Sequence, residues 1–198
     1  MKQVYIAYNQ NDHPGPDLFR YCPCCRAELM VKEIDRRLRS VCPTCGFIRF
    51  RNPAPAVGLL IVHDERVLLG KRRGEPGKGK WAIPSGYVEY EDDFLTAAVR
   101  EAKEETGLEV ELKSILNVAS SLLSPRYHFL SVYLLANVVG GELVAGDDLA
   151  AVAWFPLSGP FPELAFVEDA DVLTAYSQTR LEGLAVDPDL ARAGHCTA

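Results

Sequence analysis

The stretch GYVEYEDDFLTAAVREAKEETGL, residues 86–108, decides how the rest of the chain is read. Its second half predicts one helix. Asp92 and Asp93 suit the first turn, where carboxylates meet the positive end of the helix dipole. Leu95, Ala98, Val99 and Ala102 form an apolar stripe, and Gly107 supplies the stop. On such a helix Glu101, Glu104 and Glu105 share one face, because positions i, i+3 and i+4 do. Glu101 and Glu105 are also a like-charge i,i+4 pair, which weakens a helix by roughly a few tenths of a kcal/mol. A hard divalent cation removes that penalty by taking oxygen ligands. The cluster points to an enzyme dependent on Mg²⁺ or Mn²⁺.

Outward from this helix the chain alternates between strand and helix patterns. Residues 56–64 (AVGLLIVHD) and 66–73 (RVLLGKRR) are apolar runs of strand length joined by a short turn. A loop rich in Gly, Pro and Lys follows and leads to a short strand at Trp81–Ile83. Further strands are predicted at 109–120, 128–139 and 150–155, and a last helix at about 168–181. Strands interleaved with two helices predict an α/β fold with a mixed sheet covered on both faces.

Before residue 53 the chemistry is different. Cys22, Cys25, Cys42 and Cys45 make two C-x2-C pairs with sixteen residues between them. That spacing fits a four-cysteine Zn²⁺ site in which each pair forms a tight knuckle and the intervening segment a hairpin. Gly46 suits the positive-φ turn after the second pair, whereas Arg26 holds the equivalent place after the first. The zinc is expected to be structural, since a module of about 30 residues buries too little apolar surface to fold alone. Cys24 is a possible stand-in ligand, and Cys196 is read as a free thiol.

The chain has 198 residues with a net charge of −6. The charge is uneven: residues 17–52 carry +4 and the remainder −10. The basic segment is read as a solubilising surface, with attraction of nucleic acid as the less favoured alternative. No apolar run reaches the roughly 18 residues that cross a bilayer. The first twelve residues lack the features of a secretory signal. A cytoplasmic protein with no membrane partner is the expectation. The division expected is an arm (1–19), a zinc ribbon (20–52), a catalytic domain (53–182) and a tail (183–198).

Residues 86–108 resemble the Nudix box. Gly86, Arg100, Glu101, Glu104, Glu105, Gly107 and Leu108 match it in register. A solvated acidic helix face does not explain these fixed offsets. The departure is Asp92, which stands where the box has glutamate. In the family that acid braces the helix against the box arginine; the shorter Asp92 implies a looser brace, or one taken over by Glu91. Together with the cysteine ribbon, Asn52-Pro53 and Glu163–Phe166, the box makes the chain similar to zinc-ribbon Nudix hydrolases. The resemblance implies a Nudix-type α/β/α sandwich and a homodimer. It also implies Mg²⁺-dependent hydrolysis of a nucleoside diphosphate linked to another group.

The resemblance further implies roles for individual residues. Glu101, Glu104, Glu105 and the Gly86 carbonyl would hold Mg²⁺, with Glu104 or Glu105 as general base and Arg100 orienting the carboxylates. Related sequences often place a glutamate where Ala150 or Ala151 stands, so a later acid such as Asp147 or Asp148 is only a second candidate for the base. Arg72, Arg73 and Lys80, on the basic loop, and Glu89 are candidates for substrate binding. Tyr87 is a candidate for stacking, whereas Trp81 is expected in the core, and His63 and His128 are read as structural. NADH-cleaving relatives carry a signature that residues 120–129 (SSLLSPRYHF) lack, and Pro125 is a weak pointer to ADP-ribose, so FAD or ADP-ribose leads. The alternatives are a Nudix-like ligand sensor and an enzyme of capped RNA ends guided by the basic ribbon. Sensors tend to lose box carboxylates, and this chain keeps three.

Overall fold

The computed structural model describes residues 19–124 and 127–187. Pro125, Cys196 and the arm before Phe19 lie outside the described residues, as does the chain after Asp187.

The cysteine module is a small sheet of its own. Strands β1 (Met30–Ile34) and β2 (Arg37–Val41) pair antiparallel, and β3 (Ile48–Arg49) adds to β2. Asp35 and Arg36 turn the hairpin with φ of 53° and 61°. Two positive φ values in succession give the tight turn whose twist matches that of the strands it joins.

The main sheet is built from β4 (Ala54–His63), β5 (Arg66–Arg72), β8 (Leu108–Ser124), β9 (Tyr127–Gly141), β10 (Leu149–Pro156) and β11 (Leu184–Ala185). Their order is β10-β5-β4-β9-β8-β11, with β6 (Trp81–Ala82) on β5 and β7 (Ser85–Tyr87) on β4. The sheet is mixed because β4 and β9 run parallel while the other pairs are antiparallel. Helix α1 (Phe94–Thr106) covers one face and α2 (Val167–Thr179) the other.

The apolar run of β4 follows from this layering. Val57, Leu59 and Ile61 pack with Ala97, Ala98 and Ala102 of α1, while Leu60 packs with Val172 and Leu173 of α2. A strand buried on both faces has no polar side to show.

The predicted α/β/α sandwich is the observed one. Several boundaries differ from expectation. β8 and β9 run longer than predicted, and their pairing absorbs register shifts, one of them between Leu112 and Ser114. Such bulges bend a long pair without ending it. α2 stops at Thr179 because Arg180 turns to φ 48°. Residues 184–185 lie in the stretch read as a tail, yet they pair with β8 at the sheet edge.

Candidate active site

Helix α1 is set by its two ends. Asp93 is the N-cap; its Oδ1 accepts from the N–H groups of Leu95 at 2.8 Å and Thr96 at 3.0 Å. Gly107 ends the helix at φ 73°, its N–H bonded to the Lys103 carbonyl. Asp92 therefore lies just outside the helix, and it braces the helix after all. Its Oδ2 accepts from Arg100 Nε at 3.0 Å.

Arg100 gathers the acids. Its Nη1 donates to Glu101 Oε1 at 2.8 Å and to Glu104 Oε2 at 2.9 Å, and its Nη2 donates to the Tyr87 carbonyl at 3.1 Å. Burial opposes the guanidinium charge, but these carboxylates outweigh it and hold the charge in place. Glu105 points elsewhere, with its Oε2 accepting from Ser85 N–H at 2.8 Å. Gly86 leaves the space that Glu101 occupies, since a Cβ there would collide with the Glu101 carboxyl group.

These groups line one cavity of about 380 Å³. Glu101, Glu104, Glu105, Arg100, Gly86, Glu89 and Arg72 all border it, as do Asp147 and Asp148. Arg73 and Lys80 do not. Arg73 donates to the Leu149 carbonyl at 2.9 Å, and Lys80 pairs with Glu163 at 2.9 Å. The basic loop thus divides: Arg72 faces the cavity, and its neighbours tie the loop to other elements. Tyr87 borders the cavity with Phe129, their ring centroids 5.8 Å apart. Trp81 packs edge-on against Phe155 in the core, and His63 sits at a surface turn with its imidazole more than half exposed.

The second wall of the cavity was not read from sequence as part of a site. Glu168 and Asp169, in the first turn of α2, line it with Phe166 and Tyr133. Asp169 Oδ2 accepts from Ile83 N–H at 2.9 Å, and its Oδ1 accepts from the Tyr133 hydroxyl at 2.9 Å. The signal that could have found this wall is the acid pair following Glu163–Phe166.

Crowded acids pay for burial in proton affinity. Burial, reinforced by Glu101 and Asp148, pushes the Glu105 carboxyl up to about 8 despite the Ser85 N–H. Burial also raises Glu101, with Glu104 and Asp147 adding to the effect and Arg100 opposing it. Asp169, fully buried, is pushed up to about 7. Hard oxygen ligands repelling one another around a cavity fit a divalent cation of the Mg²⁺ or Mn²⁺ kind.

The four predicted cysteines also converge. Their sulfurs all lie within 4.8 Å of one another, with Cys22–Cys45 at 3.6 Å and Cys25–Cys42 at 3.4 Å. The two knuckles match: Cys22 N–H bonds to Ala27 O and Arg26 N–H to Cys22 O, as Cys42 does with Phe47 and Gly46 with Cys42. Arg26 takes φ 64° where Gly46 takes 76°. Backbone donation from Cys45, then Thr44, pulls the Cys42 thiol down to about 6, while hydrogen bonding among the sulfurs holds the Cys45 thiol up, so without a metal the four share out their protons unequally. Cys24 is exposed and stands outside the four.

The NUDIX domain family matches residues 52–176. The chain belongs to the Nudix family. Over 118 residues it is 45% identical to an ADP-ribose pyrophosphatase of Methanocaldococcus jannaschii, covering 59% of this chain and 69% of that protein. Over 147 residues it is 29% identical to the NAD-capped RNA hydrolase NudC of Pseudomonas aeruginosa, covering 72% of this chain and half of that one. A solved NUDIX hydrolase from Nitrosomonas europaea is similar with a TM-score of 0.72 at 26% identity, covering 84% of this chain and 94% of that one. The expectation of a Nudix pyrophosphatase agrees with these relatives. Among the described residues, no helix of this Nudix protein is long and apolar enough to cross a membrane.

Proposed function

We propose that the chain hydrolyses the pyrophosphate bond of ADP-ribose, releasing AMP and ribose 5-phosphate, in a reaction dependent on Mg²⁺ or Mn²⁺. The observation that carries this reading is the convergence of Glu101, Glu104, Glu105, Asp147 and Asp148 on one cavity that also holds Arg72. The similarity to an ADP-ribose pyrophosphatase supports ADP-ribose over FAD.

In this reading Glu101, Glu104, Glu105 and the Gly86 carbonyl would hold the cation. When bound, it would neutralise phosphate charge and acidify a coordinated water. The protein's own part is positional. Arg100 keeps Glu101 and Glu104 together, and Asp92 keeps Arg100 in place. Arg72 meets the diphosphate, and Glu89 stays a candidate contact because it borders the cavity. Arg73 and Lys80 are left out of the proposed contacts because neither borders the cavity. A water oxygen bonds to phosphorus, its proton passes to Glu104 or Glu105, and the bridging P–O bond breaks. A homodimer in the cytoplasm, with a structural Zn²⁺ in the ribbon, completes the proposal.

The test is to incubate the purified protein with ADP-ribose, FAD and NADH and resolve the products. AMP should appear from ADP-ribose with Mg²⁺ or Mn²⁺ and cease with EDTA. No AMP from any of the three would sink the reading.

A second reading, action on capped RNA guided by the ribbon, is favoured by one observation. Three exposed aromatics in or next to the ribbon each carry an arginine: Arg49 over Phe19 at 3.7 Å, Arg39 over Phe50 at 4.5 Å and Arg20 over Tyr21 at 5.5 Å. Cations beside aromatic faces suit single-stranded nucleic acid. RNA binding that weakens steeply with salt would support it.

A further inference from the structure

Glu168 has a carboxylate oxygen, Oε2, that is buried and has no hydrogen-bond partner. The residue is 5% exposed and lines the cavity. An acid in the first turn of α2 complements the helix dipole, but that benefit requires neither burial nor an unbonded oxygen. A buried acceptor without a donor destabilises the folded chain unless a ligand supplies the donor. Asp169 shows the contrast, because Ile83 N–H and the Tyr133 hydroxyl occupy both its oxygens. Glu168 is the acid of this wall with bonding capacity left.

The chemistry of that capacity is restricted. A carboxylate only accepts. Phosphate oxygens are anionic acceptors, so the diphosphate cannot be its partner. Arg72 supplies the cation for that group; its guanidinium carbon lies 5.2 Å from the ring centroid of Phe166, two residues before Glu168. A ligand that satisfies both side chains presents an anion to Arg72 and a hydrogen-bond donor to Glu168, which border the same cavity. In ADP-ribose the hydroxyl donors that flank the diphosphate on either side are those of the two riboses. The acids suited to a catalytic cation cluster instead on α1, the helix of Glu101, Glu104 and Glu105.

We infer that Glu168 is a specificity-determining residue that accepts a hydrogen bond from a ribose hydroxyl of the bound nucleotide. The inference takes its ligand class from the pyrophosphatase reading but does not need turnover.

The test is calorimetric binding in a Glu104→Gln background, chosen to slow hydrolysis of the ligand. Three probes are compared with and without Glu168→Gln: ADP-ribose, the β-methyl ester of ADP, and 2′,3′-dideoxyadenosine diphosphoribose. With Glu168 present, ADP-ribose should bind about tenfold or more tightly than at least one probe lacking hydroxyls, and Glu168→Gln, whose neutral amide oxygen accepts more weakly, should narrow that preference several-fold. Equal weakening of all three, no change in any, no binding of ADP-ribose, or a lost equivalent of bound Mn²⁺ would each overturn the inference. The ligand-free Tm of the Glu168→Gln protein should equal or exceed that of the parent. A large drop would show that the carboxylate already has a partner, and would also overturn it. ADP-ribose bound through Glu168 yet left intact by the wild-type protein would overturn the pyrophosphatase reading alone.

Discussion

Glu105 is 2% exposed, gives one oxygen to Ser85 N–H, and shares its cavity with Glu101 and Asp148. Burial, with Glu101 and Asp148 nearby, pushes its carboxyl up to about 8, so without a cation its proton is hard to remove. Glu105→Gln keeps the shape and deletes the charge. Turnover of ADP-ribose should fall about 10²-fold or more, with the circular dichroism spectrum unchanged. Near-normal turnover would refute the assignment. The same proton affinity makes stability depend on pH. Burial pushes Glu105 and Asp169 up to about 8 and about 7 in the folded chain, well above ordinary carboxylates near 4. Between those limits the folded chain binds more protons than the unfolded one, so stability must fall as pH rises. In EDTA the Tm should decline from about pH 5 to pH 8 on this account, and the decline should be shallower in Glu105→Gln. A wild-type Tm that rises across this window in step with Glu105→Gln would contradict the shifts.

At the scale of elements, the loop-to-helix join at Gly86 and α1 is the sensitive part. Gly86 is required for space, because a methyl group there meets the carboxyl of Glu101. Gly86→Ala should fold, lose affinity for Mn²⁺ in a titration, and lose activity with it. Unaltered Mn²⁺ affinity would show that Glu101 does not depend on that space. The helix was legible because its determinants are local: acids at its start, a stripe, and a stop at Gly107, although Asp93 proves to be the cap and not a first-turn residue. β4 was legible for the same reason, as a run too apolar to have an exposed face. The ends of β8 and β9 were not, since each lasts as long as its partner does and sequence shows no partner. The brace from Asp92 was read as looser, or as passing to Glu91, with Asp92 counted in the first turn; it lies before the N-cap Asp93 and reaches Arg100 from there. Arg73 and Lys80 looked equivalent to Arg72, and only the fold of the loop separates them.

For the molecule as a whole, two chemistries share one chain, cysteine sulfurs in the ribbon and carboxylates in the Nudix domain. Purified protein should contain one Zn per chain by elemental analysis, and Cys42→Ser should lose it. Protein isolated without zinc would overturn the ribbon assignment. Cysteine spacing made that centre readable, since knuckles are short and self-contained. The α2 wall of the cavity was not readable, because it arrives from some sixty residues farther along the chain than α1.

Ile83, Pro84 and Ser85 join the two sides. Asp169 takes the amide of Ile83 and Glu105 that of Ser85, while Pro84 has no amide to leave idle. Those two nitrogens are at most about 7 Å apart. A chimera that imports either helix from a cousin lacking the matching acid would strand an amide at the centre of the protein. Such helices are therefore best transplanted as a pair, together with the tripeptide between them.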